Sequence, residues 1–186
     1  MTTLTTTKLN GIDVEKLQQS IAAVAADPAA GMTRWTVNTR WAGGTVSRTE
    51  VKGFEIGGRH VPQDFTLTVD EPDELCGTST HPNPQQYLMA AMNACMMVGY
   101  VAVASLMGVE LESVEIESDG QIDLRGFFGL DSAVKPGYDE IHDTVRIRGQ
   151  GTPEQFRQIH ETVMATSPNR YNIANPIRLT ADLEIQ

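Results

Sequence analysis

From Thr33 to Asp70 the chain alternates apolar and polar side chains with a period of two, the pattern of strands that bury one face. The stretch "TRWTVNTRWAGG" sets Trp35, Val37 and Trp41 against outward Thr and Arg side chains and ends in a Gly43–Gly44 turn. "TVSRTEVKGF" and "DFTLTVD" carry the alternation on, so three antiparallel strands are predicted here. Ahead of them the period changes. In "DVEKLQQSIAAVAADPAAG", Val14, Leu17, Ile21 and Val24 recur at helical spacing, Asp13 is the expected N-cap, and Pro28 with Gly31 end the helix.

After the strands the alternation stops. "NPQQYLMAAMNACMMVGYVAVASLMG", from Asn83 to Gly108, carries no charged residue. Asn83 is predicted as its N-cap and Pro84 as its first helical residue, because proline lacks an N–H that the first turn leaves unpaired anyway. The run is long enough to cross a bilayer, which takes about 20 apolar residues. Against a span stand Asn93, the Gln85–Gln86 pair and the flanks: Asp73 and Glu74 precede the run, Glu110 and Glu112 follow it, and no basic cluster fixes an orientation. A helix apolar all round is either in lipid or enclosed by protein, and the strands need a large apolar partner. A central core helix is therefore expected.

Beyond it, "LESVEIESDGQIDL" and "YDEIHDTVRIRG" alternate as strands. "TPEQFRQIHETVMATS" reads as a helix with Thr152 as N-cap, Pro153 in first position, and Phe156, Ile159 and Val163 on one face. "IRLTADLEIQ" is predicted as a closing strand. The order is α, βββ, α, ββ, α, β. Grouped strands with separate helices argue for an α+β fold rather than a doubly wound parallel sheet.

Composition narrows the function classes. The 186 residues suit one domain, and 14 basic against 24 acidic residues leave a net charge of −10. Without a Lys/Arg cluster, an acidic chain is a poor match for a phosphate backbone, so nucleic acid is not expected as a partner. Two cysteines make no disulfide framework, and "MTTLTTTKLNGIDVEKL" has no apolar core bordered by basic residues; no leader is read there and a cytoplasmic location is expected. His60, His81, His142 and His160 are scattered and no cysteine pair has zinc spacing, so neither metal nor cofactor is signalled.

Cys95 is the candidate for chemistry. Read as a residue alone, a mid-helix cysteine is ordinarily a small buried hydrophobe. It stands too far from the helix N-terminus to draw on the dipole, so a thiolate there needs a cation brought by another segment. Met89, Met92, Met96 and Met97 surround it, filling the core or lining an apolar approach for a greasy substrate.

Three stretches, "CGTSTHPNPQQYLMAAMNACMM", "DGQIDLRGFFGLD" and "SPNRYNIANPI", resemble the OsmC/Ohr family of osmotically induced and organic-hydroperoxide-resistance proteins, on its OsmC-like branch. The resemblance divides the chain into an N-terminal helical extension, 1–32, and an OsmC-like domain, 33–186. It implies an intertwined homodimer, antiparallel strands wrapping two long central helices, with thiol-dependent reduction of hydroperoxides at sites on the dimer interface. Cys95 matches the peroxide-attacking cysteine. Gln85 falls where better-characterised members carry a glutamate that holds an arginine over the thiolate, and Ser167 falls where they carry the resolving cysteine. The arginine is expected just after the first strand's turn; Arg48 is the nearest candidate and Arg40 an alternate. Cys76 stands where the family usually has glycine, as an incidental loop thiol or a substitute resolver.

Gln85 precedes Cys95 by ten residues, roughly 15 Å along a helix axis, so any contact it makes with a thiol must be with the partner subunit's. Being neutral, it can hydrogen-bond an arginine but cannot pair with its charge. Two functions follow from the resemblance. One is a single-cysteine thiol peroxidase for alkyl or lipid hydroperoxides that needs an external thiol or dithiol, because Ser167 cannot form a disulfide. The other is a non-catalytic dimer holding a small apolar ligand at its interface. Neither involves a membrane.

Overall fold

The structure, a computed structural model, describes residues 8–185. The opening MTTLTTT, read above for a leader, lies outside them. The chain forms two compact units, residues 1–90 and 91–186, with the boundary in sequence inside the long helix.

The first unit opens with a hairpin the periodicity did not announce: β1 (Lys8–Leu9) and β2 (Ile12–Asp13) pair across Asn10 and Gly11, both at positive φ. An Asn-Gly pair tolerates that geometry and matches the strand twist. Asp13 then caps α1 (Val14–Ala26) by accepting from the Lys16 N–H, and a 3-10 turn over Pro28–Gly31 ends it as expected.

The stretch expected as one strand over 33–41 is two, β3 (Thr33–Trp35) and β4 (Asn38–Trp41). Both pair antiparallel with the same edge of β5 (Ser47–Ile56), β4 with its first half and β3 with its last, while β6 (Arg59–Val69) takes the other edge. Opposite this break, the β5–β6 register shifts between Val51 and Gly53. There Gln63 and Asp64 of β6 face Lys52 alone, and on the other edge residues 51–53 of β5 face only Thr36 and Val37, an irregularity of the kind that bends a ladder. Gly53 makes the bulge sterically feasible: at φ +151° its backbone comes so close to β6 that a Cβ would stand 2.5 Å from the Val61 carbonyl.

Residues paired across strands share a face. One side of the sheet therefore carries Arg40, Arg48, Glu50, Thr66 and Thr68, and the other Trp41, Thr49, Leu67, Val51 and Phe65. On the apolar side Trp41 is 79% and Phe65 57% exposed.

The helix α2 (Pro84–Leu106) starts where the sequence places it. Asn83 Oδ1 accepts from the Gln86 N–H at 2.9 Å, and Gln86 Oε1 accepts from the Asn83 N–H at 2.9 Å. This reciprocal bonding satisfies two donors the first turn leaves open. Tyr87 secures the first turn by donating its hydroxyl to the Thr68 carbonyl at the end of β6.

The second unit holds the fully buried hydrophobic core. Met92, Met96, Tyr100 and Ala104 recur every fourth residue along α2 and meet Val109, Ile159 and Val163. The antiparallel ribbon of β7 (Leu111–Gly120) and β8 (Ile141–Gly149) packs Val114, Ile116, Val145 and Ile147 against them. Between these strands lies the short α3 (Leu124–Phe127). α4 (Pro153–Thr166) begins with a full capping box built on Thr152 and Gln155, and α5 (Pro168–Ala174) follows directly.

Two expectations change. α2 buries one stripe rather than its whole circumference, with Val98 68% exposed. The closing strand does not form: residues 176–185 join no sheet among the described residues, and Leu179 and Leu183 are over four-fifths exposed. Alternation supplies a strand's faces but not its hydrogen bonds, which require a neighbouring strand. The architecture is α+β with antiparallel sheets.

Candidate active site

Helical geometry puts Cys95 on one face of α2 with Ala91 and Gly99, four residues to either side. That face receives the α4–α5 corner. At Gly99 the approach is close: a Cβ there would stand 3.2 Å from Val163 Cγ2. One turn the other way, Asn169 of α5 donates its side-chain amide to the Ala91 carbonyl at 2.9 Å. α4 ends because Pro168 disfavours helical backbone at the preceding residue, and Ser167 sits extended at φ −70°, ψ 116°. The Ser167 N–H still bonds the Val163 carbonyl, closing α4.

Held this way, Ser167 is 5% exposed and donates its hydroxyl to the Cys95 sulfur at 3.5 Å. The resemblance placed Ser167 at the position of the resolving cysteine. Here its hydroxyl contacts the sulfur, and its backbone closes α4. Cys95 itself is half-buried.

Polar groups also line the ribbon side of α2. Ser118 Oγ lies 2.8 Å from Asn93 Oδ1 and 2.5 Å from Asp143 Oδ1. One hydroxyl has one proton; the carboxylate is the stronger acceptor and takes it, which requires Asn93 to turn its amide NH2 toward Ser118. Further along, the buried Tyr100 phenol shares a 2.6 Å hydrogen bond with Nδ1 of the exposed His160. Burial, aided by the Asp143 charge and opposed by Arg170, pushes the Tyr100 phenol up to about 12. Arg170 donates to the Met164 carbonyl at 2.9 Å, covering the C-terminal end of α4. Sequence reasoning missed Asn169 and Arg170; their only signal was the "SPNRYNIANPI" stretch that carries them.

The other candidates belong to the first unit. Arg48 lies on the polar face of β5, paired across strands with Arg40 and Thr68, in a groove of about 700 Å³ that Trp41, Glu50 and Thr66 also line. Arg40 bonds Glu50 at 2.7 Å, which relieves the like-charge pairing. Arg48 forms no ion pair among the described residues. Gln85 is exposed in the first turn of α2. Cys76 is exposed too, at φ +63° after a 3-10 turn over Asp73–Leu75. That left-handed backbone is one that glycine adopts more readily than cysteine.

Asp70 anchors this region, and no motif pointed to it. Fully buried, it accepts from Thr45 Oγ1 at 2.6 Å, from the Thr78 N–H at 3.0 Å and from Thr78 Oγ1 at 2.5 Å. Those bonds hold its carboxyl well below the usual carboxylate range. They also join the turn before β5, which leads to Arg48, to the loop before α2, which leads to Gln85.

A model of the OsmC-like protein family matches residues 77–182, spanning this loop, Cys95 and Ser167. The chain belongs to the OsmC-like family. Its fold is similar to solved OsmC-like structures. One is an OsmC-like protein from Mycoplasma pneumoniae (12% identity, TM-score 0.61, 77% of this chain and 89% of that one). Another is an OsmC-like protein of unknown function from Vibrio cholerae (13%, 0.55, 75% and 92%). A third is an organic hydroperoxide resistance protein OsmC from Legionella pneumophila (18%, 0.50, 75% and 89%). At these identities the likeness concerns the fold of the OsmC-like chain. No curated protein matches it.

Proposed function

We propose that this OsmC-like protein is a thiol-dependent peroxidase that reduces alkyl or lipid hydroperoxides through the single reactive cysteine Cys95. The observation that carries the reading is the half-buried Cys95 sulfur with a buried Ser167 hydroxyl on it, in a family where a cysteine attacks peroxide. The Cys95 thiolate attacks the terminal peroxide oxygen. The O–O bond breaks, sulfur is oxidised by two electrons to a sulfenic acid, and the alkoxide takes a proton and leaves as the alcohol. An external thiol then displaces water to form a mixed disulfide, and a second thiol reduces it, releasing the external disulfide and restoring Cys95. Arg48 is the proposed cation for the thiolate, with Gln85 hydrogen-bonding the guanidinium.

We place this chemistry in a cytoplasmic homodimer. Its support is exposed apolar surface: Trp41, Phe65 and Leu67 on one sheet face, Val98 on α2, and Leu179 and Leu183 near the C-terminus. Soluble monomers rarely leave that much uncovered. A second copy would cover α2, keep it out of lipid, and bring Gln85 to the other subunit's thiol.

The test is consumption of cumene or t-butyl hydroperoxide with dithiothreitol, and its loss in Cys95→Ser. Without thiol, Cys95 should over-oxidise to sulfinic acid, visible by mass. A wild-type protein that consumes neither peroxide with any dithiol ends the enzyme reading. The replacements at Gln85 and Ser167 would then favour a non-catalytic dimer binding a small apolar ligand.

A further inference from the structure

We infer that Ser167 is the hydrogen-bond donor that holds the Cys95 thiolate, a positioning residue that forgoes its place as a helix cap to do so. The inference rests on Cys95 as the reacting thiol.

The chain contains its own control. Thr152 and Ser167 each precede a proline that opens a helix, Pro153 in α4 and Pro168 in α5. Serine and threonine are favoured there because the side-chain oxygen accepts from an unpaired first-turn N–H. Thr152 does this in a complete capping box. Ser167 makes no side-chain cap bond at all, and its hydroxyl points at sulfur instead.

The chemistry of sulfur gives this choice a reason. A neutral thiol is a weak acceptor, a poor exchange for a good backbone donor. A thiolate accepts a charge-assisted hydrogen bond, which is stronger. At 5% exposure Ser167 meets little competition from water. Three ionisable groups on the elements around this part of α2 have partners other than the sulfur. Tyr100 bonds His160 of α4, Asp143 of β8 bonds Ser118, and Arg170 of α5 bonds the Met164 carbonyl. Ser167 is the hydrogen-bond partner of the Cys95 sulfur among the described residues.

The position where relatives resolve the sulfenic acid thus serves the step before it. A hydroxyl there stabilises the attacking anion but offers no sulfur for a disulfide, so the two roles cannot be combined in this chain.

The experiment is the pH–rate profile of iodoacetamide alkylation, read by mass at the Cys95 peptide so that Cys76 is counted separately. In Ser167→Ala, alkylation at neutral pH should slow about tenfold and the profile should move about one unit to higher pH, as expected for losing one bond to a charged group. The plateau at high pH should stay where it was. A profile that coincides with wild type overturns the inference. Should Ser167→Ala lose its fold by circular dichroism, Ser167→Cys decides. Diamide, taking two electrons and two protons from the two thiols, should link position 167 to Cys95, and absence of that link rejects the contact. Neither readout needs peroxide turnover, so an inactive wild-type protein would defeat the peroxidase reading and leave this one standing or falling on its own.

Discussion

Tyr100→Phe separates two effects of one buried oxygen, and they have opposite signs at opposite ends of the pH scale. The substitution keeps the ring in the core and removes the hydroxyl that meets His160 Nδ1 at 2.6 Å. His160 is exposed and turns to water, so no buried group is orphaned. At neutral pH the loss is one net hydrogen bond, about 1 kcal/mol. Alkali reverses the order. Burial holds the folded phenol up at about 12, against 10.0 for a free one. A pKa raised on folding contributes stability that is fully present below pH 10 and is lost as the pH climbs toward 12. Two units correspond to about 2.7 kcal/mol at full extent. Phenylalanine cannot ionise and keeps what wild type loses, so the variant should become the more stable protein between about pH 10 and 11. The other tyrosines and the lysines titrate in both proteins and cancel in the difference. Urea midpoints followed by tryptophan fluorescence at pH 7 and from pH 9 to 11.5 would measure this. Curves that run parallel over that range refute the buried-phenol argument, and a neutral-pH loss above about 3 kcal/mol refutes the single-bond accounting.

Asp70→Asn should lower the melting temperature at pH 5 to 8. Because the folded carboxyl titrates below its unfolded value, the gap from wild type should narrow only as pH falls below about 4; a gap constant down to pH 2 would contradict this. Met96→Ala, at a fully buried position beside Cys95, should cost about 2–5 kcal/mol in urea unfolding, and a loss under 1 would mean the core closes over the space. Arg48→Ala should cut peroxide consumption at least about tenfold if its charge serves the thiolate; undiminished turnover would remove Arg48 from the site. Light scattering should report twice the chain mass of 20.3 kDa, and a folded monomer would withdraw the shared-site arrangement.

The periodicities, caps and punctuation of the chain determined most of its elements. Asp13, Asn83 and Thr152 start their helices as read, because a capping side chain acts on N–H groups two or three residues away and needs nothing distant. Alternation likewise located β5 to β8, since a strand's faces are a local property. The residues that carry the resemblance marked Cys95 as the thiol to examine. What depends on distant partners was decided by the tertiary structure. The edge strand is split into β3 and β4 where the ladder across β5 is irregular, and among the described residues the closing segment pairs with no strand. Asp70 became a buried anchor only once two threonine-bearing loops converged on it. Ser167 meets Cys95, 72 positions earlier in the sequence, because Gly99 admits α4 closely and Asn169 docks α5. A serine before a proline reads as a cap wherever it occurs, and the direction its hydroxyl takes is set by which acceptor the packed helices place beside it.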